Sequence, residues 1–230
     1  MRASTPIRIP VDGEGFSLEG RLDGPGHDPS APGVVVCHPH PAFGGTLDAP
    51  LIVALAEALT AAGMRVLRFN FRGIGTSGGI PEGGLVEDRD VRAACAFLRA
   101  RNPSDPSRPP SITTASPPPD IALAGYSFGA LMAAKAIALG ERPRRFAAIG
   151  FPTRIIGSDP TRIAHVETAL RATPTLVIGG DRDQFCEVDR LREWTAAIPQ
   201  TELHLIPGAD HFPTGAALAT LLRRTADFLR

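Results

Sequence analysis

Gly125-Tyr126-Ser127-Phe128-Gly129 constrains this chain more than any other stretch. It follows a strand-like run, Ile121 to Ala124, and precedes a helix-like run, Ala130 to Leu139. Passing from strand to helix over so few residues demands a turn in which a Cβ at either flanking glycine would clash. Such a turn lifts the serine hydroxyl clear of the sheet and sets it at the positive end of the following helix. Glycine and serine are common, so the five residues alone read equally as a glycine-rich loop. Their place between a strand and a helix is what separates the two readings.

The rest of the chain repeats that alternation. Ile7 to Val11 and Phe16 to Leu22 read as a leading hairpin joined through Gly13 and Gly15. Gly33 to Cys37 is a short apolar run of the kind buried on both faces of a sheet. Pro50 to Ala62 reads as a helix: proline suits its first turn, Leu51, Leu55 and Leu59 share a face, and Gly63 ends it. Met64 to Phe69, Phe146 to Phe151, Thr175 to Gly179 and Thr201 to Ile206 read as further strands. Leu85 to Arg101, residues 128–139, Arg162 to Leu170, Glu187 to Ala197 and Gly215 to Leu229 read as helices. Alternating β and α units predict one α/β domain over residues 1–230, with a mostly parallel central sheet flanked by helices on both faces. Asn102 to Pro119 stands apart: seven prolines with serine and threonine between them form neither helix nor central strand, so a surface insertion is expected.

Several function classes are excluded early. The 24 basic and 24 acidic residues balance, without the basic excess that a nucleic-acid partner requires. No apolar run reaches transmembrane length, so no membrane partner is expected, and the opening residues show no apolar leader. Three widely spaced cysteines, Cys37, Cys95 and Cys186, form neither a disulfide framework nor a metal-spaced pair. A soluble, cytoplasmic protein is expected. Gly73-Ile74-Gly75-Thr76-Ser77-Gly78 follows a strand and matches G-x-G-x-x-G, but glycine-rich loop continues through Gly84 where a dinucleotide site needs a helix.

A serine hydroxyl acts as a nucleophile only beside a base, and the base needs an orienting carboxylate. Downstream of Ser127, the strand ending at Gly179 runs into Gly180-Asp181-Arg182-Asp183, and the last strand runs into Asp210-His211-Phe212. Both loops fall at the carboxyl ends of parallel strands, the edge where Ser127 lies and where ligands bind in open α/β sheets. His211 is the one histidine after the last strand; Asp181 and Asp183 both remain candidates for the acid.

His38-Pro39-His40-Pro41 with Gly44-Gly45, Phe69 to Ser77, the serine turn, Gly180 to Asp183 and Asp210-His211-Phe212 together resemble the α/β-hydrolase superfamily. The likeness is strongest to small lidless serine hydrolases of the dienelactone-hydrolase and carboxylesterase type, and runs from about Gly33 to the end. The resemblance implies ester hydrolysis through an acyl-enzyme, with Ser127 as nucleophile, His211 as base and Asp183 as acid. Asp181 would then be a turn residue capping its own backbone. It further implies oxyanion donors at the backbone amides of Phe128 and His40. Pro39 replaces the glycine common after the first histidine, and Pro41 has no N–H to offer. A small-molecule ester is the expected partner, with no cofactor and no metal; His38 and His40 lack the cysteines or paired carboxylates of a metal signature. The stretch between Phe151 and Thr175 is too short for a large cap, so an open site is expected unless Phe43, Phe128 and Phe185 build a groove. Oligomeric state is not encoded in any of these features.

Overall fold

The computed structural model of the protein describes residues 4–24, 31–100, 121–157 and 159–230. The proline-rich stretch from Asn102 to Pro119 lies outside them. Thr5–Pro10 (β1) and Ser17–Asp23 (β2) pair antiparallel, and β2 pairs antiparallel with Arg65–Phe69 (β4). Beyond β4 every pairing is parallel, through Gly33–Cys37 (β3), Ile121–Tyr126 (β5), Phe146–Ile149 (β6), Thr175–Gly180 (β7) and Thr201–Ile206 (β8). The order is β1-β2-β4-β3-β5-β6-β7-β8. The register sets Cys37 opposite both Phe69 and Gly125, and Gly180 opposite Ile206. The carboxyl ends of β3, β5, β7 and β8 therefore share one edge.

Alternate residues of each strand feed two cores. Val35, Cys37, Leu67 and Leu123 pack with Asp88–Ala100 (α2), Phe128–Ala138 (α3), Pro160–Ala172 (α5) and Val188–Ala196 (α6). Val34, Val36, Val66 and Ala122 pack on the other face with Pro50–Ala61 (α1) and Gly215–Leu229 (α7). β3 and β4 are buried along their whole length, as central strands covered on both faces must be. Each such Val or Leu contributes on the order of 1.5–3 kcal/mol of burial.

Several boundaries differ from the expected ones, and three of the differences have a visible cause. α2 opens at Asp88 rather than Leu85, because the Glu87 carboxylate accepts from the amides of Glu82, Gly84 and Val86 and winds residues 82–87 into a loop. β6 stops at Ile149, where Gly150 turns with φ 54. The interval before β7 then holds a short helix, Thr153–Ile156 (α4), that periodicity did not show, and α5 is longer than expected. α5 starts at Pro160 because Asp159 caps it, accepting from the amides of Thr161 and Arg162. α4 and α5 fill this interval, so the fold carries no large cap domain. No helix among the described residues is long and apolar enough to cross a membrane.

Candidate active site

β5 ends at Tyr126 and α3 starts at Phe128, leaving Ser127 alone to turn the chain. Ser127 has φ 55 and ψ −115, the one non-glycine positive φ among the described residues. A conformation of that kind costs on the order of 1–3 kcal/mol and persists only where surrounding structure enforces it. The enforcement is visible. A Cβ on Gly125 would stand 2.5 Å from the Gly129 carbonyl oxygen, and one on Gly129 would stand 2.3 Å from that of Cys37. The Ser127 amide is tied to the Ile149 carbonyl of β6 at 2.9 Å. Ser127 Oγ makes no hydrogen bond among the described residues, and the side chain opens into a pocket that His211 also lines.

Asp183 and His211 sit on two loops that are hydrogen-bonded to each other. Asp181 donates its amide to the Ile206 carbonyl, Arg182 donates to Ala209, and the Gly208 amide donates to Asp181 Oδ1 at 2.7 Å. Asp181 thus caps the loop after β8 rather than its own backbone, correcting the sequence expectation. Its carboxylate is committed there, whereas Asp183 faces the histidine: His211 Nδ1 lies 2.7 Å from Asp183 Oδ2. Asp183 Oδ1 accepts from the Phe185 amide at 2.8 Å, so both of its oxygens are engaged. This bond fixes Nδ1 as the protonated nitrogen when His211 is neutral and leaves Nε2 as an acceptor.

Two further groups hold His211, and sequence reading missed both. The Tyr126 hydroxyl donates to the His211 carbonyl at 2.6 Å, and its ring stacks on the imidazole at 5.2 Å. Burial first, then the charges of Asp183 and Asp210, push the Tyr126 phenol well up, so it remains a donor. The His211 amide donates to Gln184 Oε1 at 3.3 Å. Gly150 leaves the space beneath: a Cβ there would stand 3.2 Å from His211 Cε1.

On the other side of Ser127, the segment after β3 curls against the serine turn. A Cβ on Gly45 would stand 1.9 Å from the Pro39 carbonyl oxygen, which is why glycine is needed at that position. The His40 ring meets the Phe128 ring edge-on at 5.0 Å. Neither the His40 nor the Phe128 amide donates to an acceptor among the described residues. His38 is fully buried; Nδ1 pairs with the Pro39 carbonyl at 2.7 Å and Nε2 accepts from the Phe71 amide at 3.1 Å. Burial lowers its pKa to about 4, so it is a neutral framework residue with both nitrogens in use. Asn70 extends that framework: it accepts from the Leu47 amide and donates to Glu19. Arg72 adds a buried pair with Asp90 at 2.7 Å. The stretch Phe69 to Ser77 therefore anchors the loops beside the site. Just beyond it, Gly78 packs on Phe16, and no helix opens before α2.

The three cysteines are buried and unpaired, and burial pushes each thiol up, Cys186 to about 11. None matches Ser127 in position on this edge. The pocket above Ser127 and His211 has a volume of about 80 Å³ and is walled by Phe43, Phe128, Phe185 and Phe212. The groove that three of these phenylalanines could build is therefore formed.

This arrangement has relatives. Residues 110–215 match the family described as an alpha/beta hydrolase domain. The chain is 26% identical to an alpha-beta serine hydrolase homologue from Coxiella burnetii, covering 99% of this chain and 95% of the other with a TM-score of 0.71. It is 28% identical to a serine hydrolase without lid from Xanthomonas campestris, over 98% and 91% of the two chains, with a TM-score of 0.68. An esterase from Pyrococcus furiosus, 21% identical over 99% and 90%, shares the fold with a TM-score of 0.75. The fold and its relatives define a hydrolase built without a large cap. The chain belongs to the α/β-hydrolase superfamily.

Proposed function

We propose that the chain is a carboxylic ester hydrolase that works through an acyl-enzyme, as one catalytic domain. The observation that carries this reading is the serine held at φ 55 in a pocket shared with a histidine whose Nδ1 is fixed by a buried aspartate. Ser127 Oγ attacks the ester carbonyl carbon while His211 Nε2 takes the hydroxyl proton. The tetrahedral oxyanion is met by the amides of Phe128 and His40, two donors with no acceptor among the described residues. The C–O bond to the alcohol breaks and His211 returns the proton to it. Water then attacks the acyl-enzyme, giving its proton to His211; the carboxylic acid leaves and Oγ recovers its hydrogen. Asp183 stays ionised and stabilises the imidazolium in both halves. The open Ser127–His211 contact fits this reading, since such bonds are often loose without substrate. The esterase activity named for the Pyrococcus furiosus protein supports the ester over other acyl substrates.

A fluorophosphonate should label the protein at Ser127 and should not label Ser127→Ala. That variant should keep the wild-type melting temperature while losing about 10⁶ in kcat on p-nitrophenyl acetate. Turnover near the wild-type rate would remove Ser127 from the mechanism.

A further inference from the structure

The pocket beside Ser127 is built from rings. His40 stands edge-on to Phe43 at 5.9 Å and to Phe128 at 5.0 Å. Phe185 faces Phe43 at 6.4 Å and stands edge-on to His211 at 4.7 Å; Phe212 approaches His211 edge-on from another side at 5.2 Å. Among the described residues, no Asp, Glu, Lys or Arg lines the pocket. Phe43 is 72% exposed, Phe212 56% and Ile155 47%, so three of the six large exposed hydrophobic side chains among the described residues ring this one opening. Apolar surface is left in water at a single mouth where a ligand covers it.

An aliphatic chain would gain burial against these walls. An aromatic ring would gain burial and, in addition, edge-to-face and tilted contacts, each worth about two- to tenfold in affinity. A carboxylate or ammonium on the guest would meet no countercharge and would lose its hydration. Resting on the ester hydrolase reading, we propose that the pocket selects esters that carry an uncharged aromatic ring, gripped between Phe43 and Phe212 at its mouth.

The test compares rings of equal size and similar ester reactivity. Methyl 3-phenylpropanoate against methyl 3-cyclohexylpropanoate places the ring on the acyl side; benzyl acetate against cyclohexylmethyl acetate places it on the alcohol side. The aromatic member should have about tenfold higher kcat/KM in at least one pair, and the pair that shows it identifies the side. Phe43→Leu and Phe212→Leu, singly and together, should bring that ratio toward one. A wild-type ratio near one in both pairs, or a ratio that the variants leave unchanged, overturns the aromatic assignment and leaves ester hydrolysis standing. Failure of every ester together with failure of fluorophosphonate labelling would overturn the underlying reading, and the assignment with it.

Discussion

The turn that carries Ser127 and the loop that carries His211 reach the same edge of the sheet but are held there by different forces. Ser127 is held by exclusion. Its strained φ is enforced because β3, β5 and α3 approach so closely that only glycine fits on either side. His211 is held by attraction. Asp183 grips its ring, Tyr126 its carbonyl, Gln184 its amide, and Asp181 fastens the loop that precedes it. Steric enforcement is short-ranged and all-or-none. A set of hydrogen bonds is graded, and its members differ in what their loss does to chemistry and to stability.

The largest effect should separate two aspartates on the attracting side. Asp183→Asn leaves shape intact but reverses the hydrogen-bond polarity toward His211 Nδ1, favouring the wrong tautomer. The expected loss is about 10⁴ in kcat, by analogy with other triads. Asp181→Asn should cost little rate and only about 1 kcal/mol of stability, the worth of the bond to the Gly208 amide. Steady-state kinetics on one ester, with urea melts of both variants, check the pair. Equal kinetic losses would mean that loop docking, not tautomer control, is what Asp183 supplies.

These two modes of holding also explain what was legible in the sequence. Exclusion writes itself as glycine at fixed offsets, so Gly125, Ser127 and Gly129 could be read directly. The sheet and most helices followed from periodicity; chain order singled out His211 and narrowed the acid to Asp181 or Asp183, and the family resemblance chose Asp183. Attraction leaves no such trace: Tyr126 and His211 are 85 positions apart, and Gln184 and His211 are 27 apart. Tyr126 even occupies a free position of the serine motif. The start of α2 was missed because one carboxylate, Glu87, organises a loop out of residues that look helical. The rings of Phe43, Phe185 and Phe212 sit in loops, where no period announces that they converge.

Gly129→Ala tests exclusion itself. Its Cβ would fall 2.3 Å from a backbone oxygen of β3, which cannot move aside as a flexible side chain can. A loss of about 3 kcal/mol or more is expected, at the upper end for overpacked sites, measured by urea unfolding. Wild-type stability would show that the glycine serves something other than closeness.

A third holding mode, burial of a neutral imidazole, should be exposed by pH. His38 has its pKa lowered to about 4, first by burial and also by nearby His40, with the bond to the Pro39 carbonyl pulling the other way. In the unfolded chain the same group titrates near 6.5. Between those values the unfolded state binds more protons, so this contribution to stability is complete above about pH 6.5 and is lost as pH falls toward 4. The full loss is about 3 kcal/mol, from the fall of the pKa from 6.5 to about 4 on folding. Stability of His38→Gln should fall less between pH 7 and pH 4 than that of the wild type, the difference approaching that amount. Parallel pH curves would show that folding does not lower the His38 pKa.

The smallest effect lies where the two regions meet. Tyr126 belongs to the serine turn, yet its hydroxyl grips the histidine's backbone. Tyr126→Phe keeps the stacked ring and deletes one buried donor, so about 1 kcal/mol of stability should go. If the bond also positions the imidazole, kcat should fall by up to about tenfold, as 1 kcal/mol of lost transition-state stabilisation would give, with KM little changed. A double-mutant cycle separates positioning from packing. In an Asp183→Asn background His211 has already lost its working tautomer, so deleting the Tyr126 hydroxyl should cost no further rate while still costing stability. An equal, additive rate loss in both backgrounds would show that the hydroxyl supports the fold of the edge and not the aim of the base.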